Sequence, residues 1–359
     1  MNLNNLLGRQ ENHFKLREDM VIRLDGVNLY RIEATRDIER HGVKAGDLGG
    51  YVESEKNLPI IPLDRGMAWV GEDAKVYGDA KAYGNALISG KAQVHDHAEV
   101  CGNAKVYGGA RISGGARITD NAAIYGDAKV FGDAKVFGDA QVYDNAKAYN
   151  SAGICGKARV HQSATVYNGA WIRDGAVVYG DAVIYGDAVI FGDAKVYDNA
   201  DIYGRVRIYD NAQVYGHTRV CGYAWVYGNA RVYGNAEVCD AAWVCGNAQI
   251  HGRAEVYGNA RVGGAGIHDN AGADVDVSLR RRADCCYITN QIYDITILPD
   301  HIRIGNLCST KADWFAFTDE EIAGVFAKEK DRRWWRAWKP ILRAMCDAYT
   351  NEINQVEEQ

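Results

Sequence analysis

From Val70 to Val262 an aliphatic residue returns at every sixth position without a slip, 33 times in all, and only Ala82 and Ala148 are not Val or Ile. Two residues before each stands Ala, from Ala68 to Ala260, with Val206 and Thr218 as the departures. A helix gains no single apolar face from this period: at about 100° per residue, six residues step about 240° and scatter the aliphatics round the cylinder. A strand does gain one. Ala128-Lys129-Val130-Phe131 alternates in, out, in, out, and Gly132-Asp133 supplies a bend. Gly takes positive φ freely, and Asp or Asn tolerates it better than other residues. The Gly-Asp and Gly-Asn pairs at 78–79, 84–85, 126–127, 180–181, 228–229, 234–235 and 258–259 therefore mark sharp corners. Each unit is one short strand and one corner, and coils of such units hydrogen-bond to the coils above and below at about 4.8 Å.

The run Val-Tyr-Gly-Asp-Ala-Lys resembles the aliphatic-x-x-x-small-x hexapeptide of left-handed parallel β-helices, over more than half the chain. That resemblance implies an all-β fold, a left-handed parallel β-helix of three-sided 18-residue coils; 33 sides then make about 11 coils. Burying one Val or Ile contributes about 1.5–3 kcal/mol against about 1–2 kcal/mol of lost backbone freedom per residue, so stability must come from cooperative stacking of many coils. At steps of 18, Tyr107, Tyr125, Tyr143, His161, Tyr179, Tyr197, Tyr215 and Tyr233 fall in one column and are expected to stack as a ladder.

An open β-helix end would leave strand groups unpaired, so the flanks are expected to cap it. This gives an N-terminal β cap at 1–67, the β-helix at 68–262 and a small C-terminal α+β domain at 263–359, where the repeat dissolves after Val262 through Gly263-Gly264. Val21 to Ile32 reads as a hairpin about Asp25-Gly26. With Tyr30-Arg31-Ile32, the segment Gly46-Asp47-Leu48-Gly49-Gly50-Tyr51-Val52-Glu53 resembles the start of enterobacterial hexapeptide-repeat proteins that are acetyltransferase-like and have phage and prophage relatives. The resemblance brings no catalytic residue to carry over. Towards the C-terminus, Tyr293–Ile297 and His301–Ile304 read as a hairpin about Pro299-Asp300, and Thr318-Asp319-Glu320-Glu321 as a capping box. Trp334, Trp338, Ile341 and Met345 share a helical face expected to pack as core.

A net charge of −6 does not favour nucleic acid or an anionic membrane as partner. The basic-aromatic run Arg332–Lys339 sits in a C-terminal region with 12 Lys and Arg against 16 Asp and Glu, so no basic field supports it as a nucleic-acid site. With no secretory signal visible at Met1 and no apolar run near the roughly 18 residues that span a bilayer, the expected location is cytoplasmic. Five of the nine cysteines replace Tyr in its column and read as small apolar fillers in a reducing compartment. No C-x2-C pair suggests zinc, no phosphate loop is present, and no cofactor is expected.

Three functions fit this fold. Many hexapeptide β-helices are acyl-CoA-dependent acyltransferases with a His as general base and a loop that interrupts the coils. Here nothing interrupts them, His95, His161 and His251 occupy the Tyr column, and His97 and His217 stand at corners. A non-enzymatic scaffold or protein-interaction module is favoured by one column pair, in which Trp171, Val189, Phe191, Arg207, Tyr209, Trp225, Tyr227 and Trp243 are expected to point outward as an apolar strip. Its cover would be the C-terminal domain, a second copy or another protein, with Trp225 and Trp243 at the contact. The phage resemblance implies a third reading, a phage particle or anti-host decoy component.

Overall fold

In a computed structural model the chain is described at residues 12–60, 66–263, 266–267, 272–273, 278–279, 286–288, 293, 295–305 and 307–357. It is mostly β: parallel coils stack as a β-solenoid of about eleven coils, joined by a small antiparallel sheet and a few helices near the C-terminus. The chain divides into two compact units, 1–204 and 205–359. The division falls inside the repeat rather than at its ends.

In the first unit, β1 (Phe14–Leu24) and β2 (Val27–Ala34) form the expected hairpin about Asp25 and Gly26, which take φ of 50° and 87°. Strand β2 pairs antiparallel with β3 (Leu48–Val52), and β3 then pairs in parallel with Lys75–Val76. The cap thereby turns a hairpin edge into the first rung of the coil. Phe14, Leu29, Ile32, Leu58 and Trp69 are buried beneath it. Two imidazoles join cap and coil, His13 Nε2 to the Ala68 carbonyl at 2.7 Å and His41 Nε2 to the Met67 carbonyl at 3.1 Å. Burial lowers the pKa of both below the ordinary histidine value.

The coil strands are mostly two residues long and pair in parallel at a register of 18, as in Val76 with Val94 and Ile112 with Val130. Inward Val, Ile and Ala are buried throughout. The left-handed corner residue is Gly or a polar residue, most often Asp. At Gly126, φ 66°, a Cβ would come within 2.7 Å of the Asp144 nitrogen in the next coil. Asp144 itself takes φ 57° and accepts a hydrogen bond from the Gln162 N–H at 3.2 Å. Asp96, Asp120, Asp174, Asp210 and Asp240, which also replace Gly, likewise accept from a backbone N–H of the coil that follows.

In the second unit the coil does not stop at Val262. Gln249 pairs with Gly266, Glu255 with Gly272 and Arg261 with Ser278, a step of 17 instead of 18. The spacing after Val262 is one residue shorter than the repeat requires, which hides the extra turn from a strict six-residue count. A second correction concerns cysteine. Cys221 and Cys239, expected to be unbonded fillers, form a disulfide. The register explains it, since residues 18 apart in one column have Cα atoms only 4.5 Å apart here, within disulfide reach.

The C-terminal sheet runs Cys286–Ile288, Ile295–Ile297, His301–Ile304 and Leu307–Thr310, all antiparallel, with the hairpin at Pro299-Asp300 in place. Helices α1 (Lys311–Ala316), α2 (Asp319–Val325) and α3 (Glu329–Glu357) pack on it, and Thr318 and Glu321 make the expected capping box. The core gathers Ile295, Ile302, Trp314, Phe326, Trp334, Trp335, Leu342 and Cys346. Ile341 is not part of it and is 47% exposed, whereas Trp335 is buried. The buried face of α3 centres on the line Trp335, Leu342, Cys346; Ile341 lies about 120° round the helix from that line. Arg303 bonds Glu255 of the coil at 2.6 Å, which ties the sheet to the solenoid within this unit. Among the described residues no helix is long and apolar enough to cross a membrane.

Candidate functional site

Outward rings are where the chemistry of this surface lies. In the first unit Tyr107, Tyr125, Tyr143, His161, Tyr179 and Tyr197 stack as expected, neighbouring centroids 4.7–5.1 Å apart and planes within 6°. A second ladder, not singled out by the sequence reading, stacks Phe131, Tyr149, Tyr167, Tyr185 and Tyr203 at 4.8–5.2 Å. The same step of 18 would have found it. In the second unit Tyr215, Tyr233 and His251 continue the pattern at 5.0 and 4.8 Å. Rings stacked this way cover each other's faces and leave edges to solvent, so neither ladder offers a free platform for a base or a sugar.

The eight residues expected to form the outward strip fall in both units. In the first, Trp171 pairs in register with Gly153 on one side and Val189 on the other. A Cβ at Gly153 would come within 2.5 Å of the indole, so the glycine makes room for Trp171 to lie flat. Trp171 meets the ring edge of Phe137 at 6.3 Å and stays 36% exposed. Val189 and Phe191 are half-buried, and the Arg173 guanidinium covers Phe191 at 4.6 Å.

In the second unit Arg207, Trp225, Trp243 and Arg261 are consecutive register partners. The two indoles stack at 5.0 Å with planes 2° apart. Arg207 lies over Trp225 at 5.0 Å and Arg261 over Trp243 at 4.7 Å, so a guanidinium closes each end of the stack. Beside it Tyr209 and Tyr227 stack at 4.9 Å and meet the indoles edge to face at 6.2 and 6.4 Å. Trp225, Trp243, Tyr209 and Tyr227 are half-buried rather than open, because each covers its neighbour. Desolvation, with the Cys245 thiol beside it, pushes Tyr227 up to about 12, and desolvation raises Tyr209 as well. Both phenols stay neutral, and the strip carries only its guanidinium charges. Arg261 was missed in the sequence although it stands 18 residues after Trp243 in the same column. At the adjoining corner Tyr223, where the repeat has Asp or Asn, is 58% exposed with Arg205 over its ring at 5.8 Å.

The repeat histidines sit in the ladders or at corners. His95 stacks on Tyr77 at 5.0 Å, His161 lies between Tyr143 and Tyr179, and His97 faces Asp79 at 3.3 Å. Among the described residues no group of three His, Cys, Asp or Glu is placed to hold a metal ion. The strip thus combines stacked aromatic rings with two guanidinium groups, each a planar fork of N–H donors.

Residues 224–240 match the family model of the YdcK beta-solenoid repeat, a likeness that covers about one coil and includes Trp225 and Tyr227. No curated protein matches the chain.

Proposed function

We propose that this chain is a non-enzymatic scaffold that presents the tryptophan strip to a protein partner. The Arg207–Trp225–Trp243–Arg261 stack carries the reading. Trp, Tyr and Arg are the residue types that dominate binding energy at protein contacts, and here each is held in place by the coil beneath it, so little side-chain freedom is lost on docking. The Arg303–Glu255 contact of the C-terminal sheet lies on a different column from the tryptophans.

A photo-crosslinking residue in place of Trp243, introduced in the producing cell, tests this. The expected result is one adduct of discrete mass, absent when the same residue replaces Arg231 on another face. Equal, diffuse labelling from both positions would overturn it. Trp225→Glu with Trp243→Glu should abolish the contact while the coil stays folded, since neither indole points inward.

A further inference from the structure

We infer that the strip of the second unit receives an extended acidic peptide segment, with carboxylates at positions i and i+4 about an apolar residue at i+2. This rests on the interaction reading above and names the partner's chemistry. Arg207 and Arg261 make no ion pair among the described residues, although each guanidinium is fixed on an indole face. The nearby acidic corners are otherwise engaged: Asp210 and Asp240 turn their carboxylates to the N–H groups of Gly228 and Gly258, each at 3.1 Å. Among the described residues, then, neither cation has a counter-charge. A guanidinium flattened on a ring keeps its N–H groups round the rim, where a carboxylate can be held by two parallel bonds.

Spacing selects the conformation. Three coil steps separate Arg207 from Arg261, about 14 Å at the inter-strand spacing. An extended chain rising about 3.4 Å per residue covers that distance in four residues, and i, i+2 and i+4 all face the same way. An α-helix needs about nine residues for the same rise, which puts the two ends on opposite sides of the helix. The strip thus matches strand geometry and not helix geometry. The central residue meets the edges of Trp225 and Trp243, where an apolar side chain loses no hydrogen bond.

The test uses the full chain and a fluorescent peptide, Thr-Asp-Thr-Val-Thr-Asp-Thr, followed by anisotropy. Saturable binding that weakens with added salt is expected, and the Arg207→Glu, Arg261→Glu variant should lose at least tenfold. Arg207→Gln with Arg261→Gln keeps stacking bulk without charge and should lose a similar factor, which guards against misfolding of the reversed variant. A peptide with Arg in place of both Asp should bind the reversed variant better than the parent. No saturable binding, equal binding of a peptide with its carboxylates at i and i+2, or indifference to both double variants would overturn the inference. So would a parent dimer in sedimentation that the charge reversal dissolves, because the strip would then belong to a second copy. A discrete crosslink at position 243 without peptide binding retires the acidic segment and keeps the interaction reading; loss of both retires both.

Discussion

A solenoid coil buries three aliphatics and three alanines, all small, and leans on the next coil through strands two residues long, as Val130 does on Ile112. The C-terminal sheet and helices instead gather Trp314, Phe326, Trp334 and Trp335 into one cluster, where the Trp314 indole N–H donates to the Ile302 carbonyl at 2.6 Å. No single coil residue matters much, because its contribution is repeated in the coils around it. In the helical region a few large rings hold everything. Register is the weak point of the first region, and one indole is the weak point of the second.

Deletion breaks this contrast most sharply. Removing Tyr125–Val142 takes out one whole coil, keeps every column of the first unit in step, and should leave a folded, cooperatively melting protein. Removing only Tyr125–Val130 turns each later coil by a third of a turn against the N-terminal cap and should abolish the cooperative transition. Thermal unfolding by circular dichroism compares the two, and equal midpoints would sink the three-sided register. In the helical region the equivalent damage takes one side chain. Trp335→Ala should cost about 3–5 kcal/mol, as large-to-small core changes do. Proteolysis should then open the chain after residue 290 while the coil fragment stays resistant. Val130→Ala, which removes two methyls from one rung, should lower the melting point far less.

The same contrast explains what could be read from the sequence. A six-residue period held over thirty-three positions announces strand, corner, column and core together, so the inward Val and Ala columns and the Tyr107–Tyr197 ladder are legible residue by residue. Legibility ends where a local change does not alter the composition pattern. The extra turn after Val262 is hidden by a step of 17 in place of 18, and the Cys221–Cys239 bond by reading each cysteine singly rather than as register neighbours. In α3 a helical face is readable, but whether its centre is Trp334 or Trp335 is set by the sheet it meets, which periodicity does not report. The strip was legible as an outward Trp, Tyr and Arg column. That its rings cover one another, with Arg261 closing the far end, emerges only from stacking distances.

The smallest effect tests whether ladder rings act as packing and nothing more. His161 lies between Tyr143 and Tyr179, and its pKa falls below the ordinary 6.5, chiefly through desolvation and partly through Arg159, while Asp144 at 3.8 Å pulls the other way. The sign follows from linkage. An unfolded chain takes up the proton as pH falls through 6.5, the folded chain only at lower pH, so this residue subtracts stability progressively below pH 6.5 and none well above it. His161→Tyr restores the column's usual ring and removes the titration. At about pH 7.5 the variant should match the parent within about 0.5 kcal/mol, and the gap should widen in the variant's favour towards about pH 5.5. His13 and His41 also titrate low, but they are present in both proteins and cancel in the difference. Melting midpoints of the two proteins across that range decide the matter: parallel curves would mean that the ladder does not desolvate its histidine.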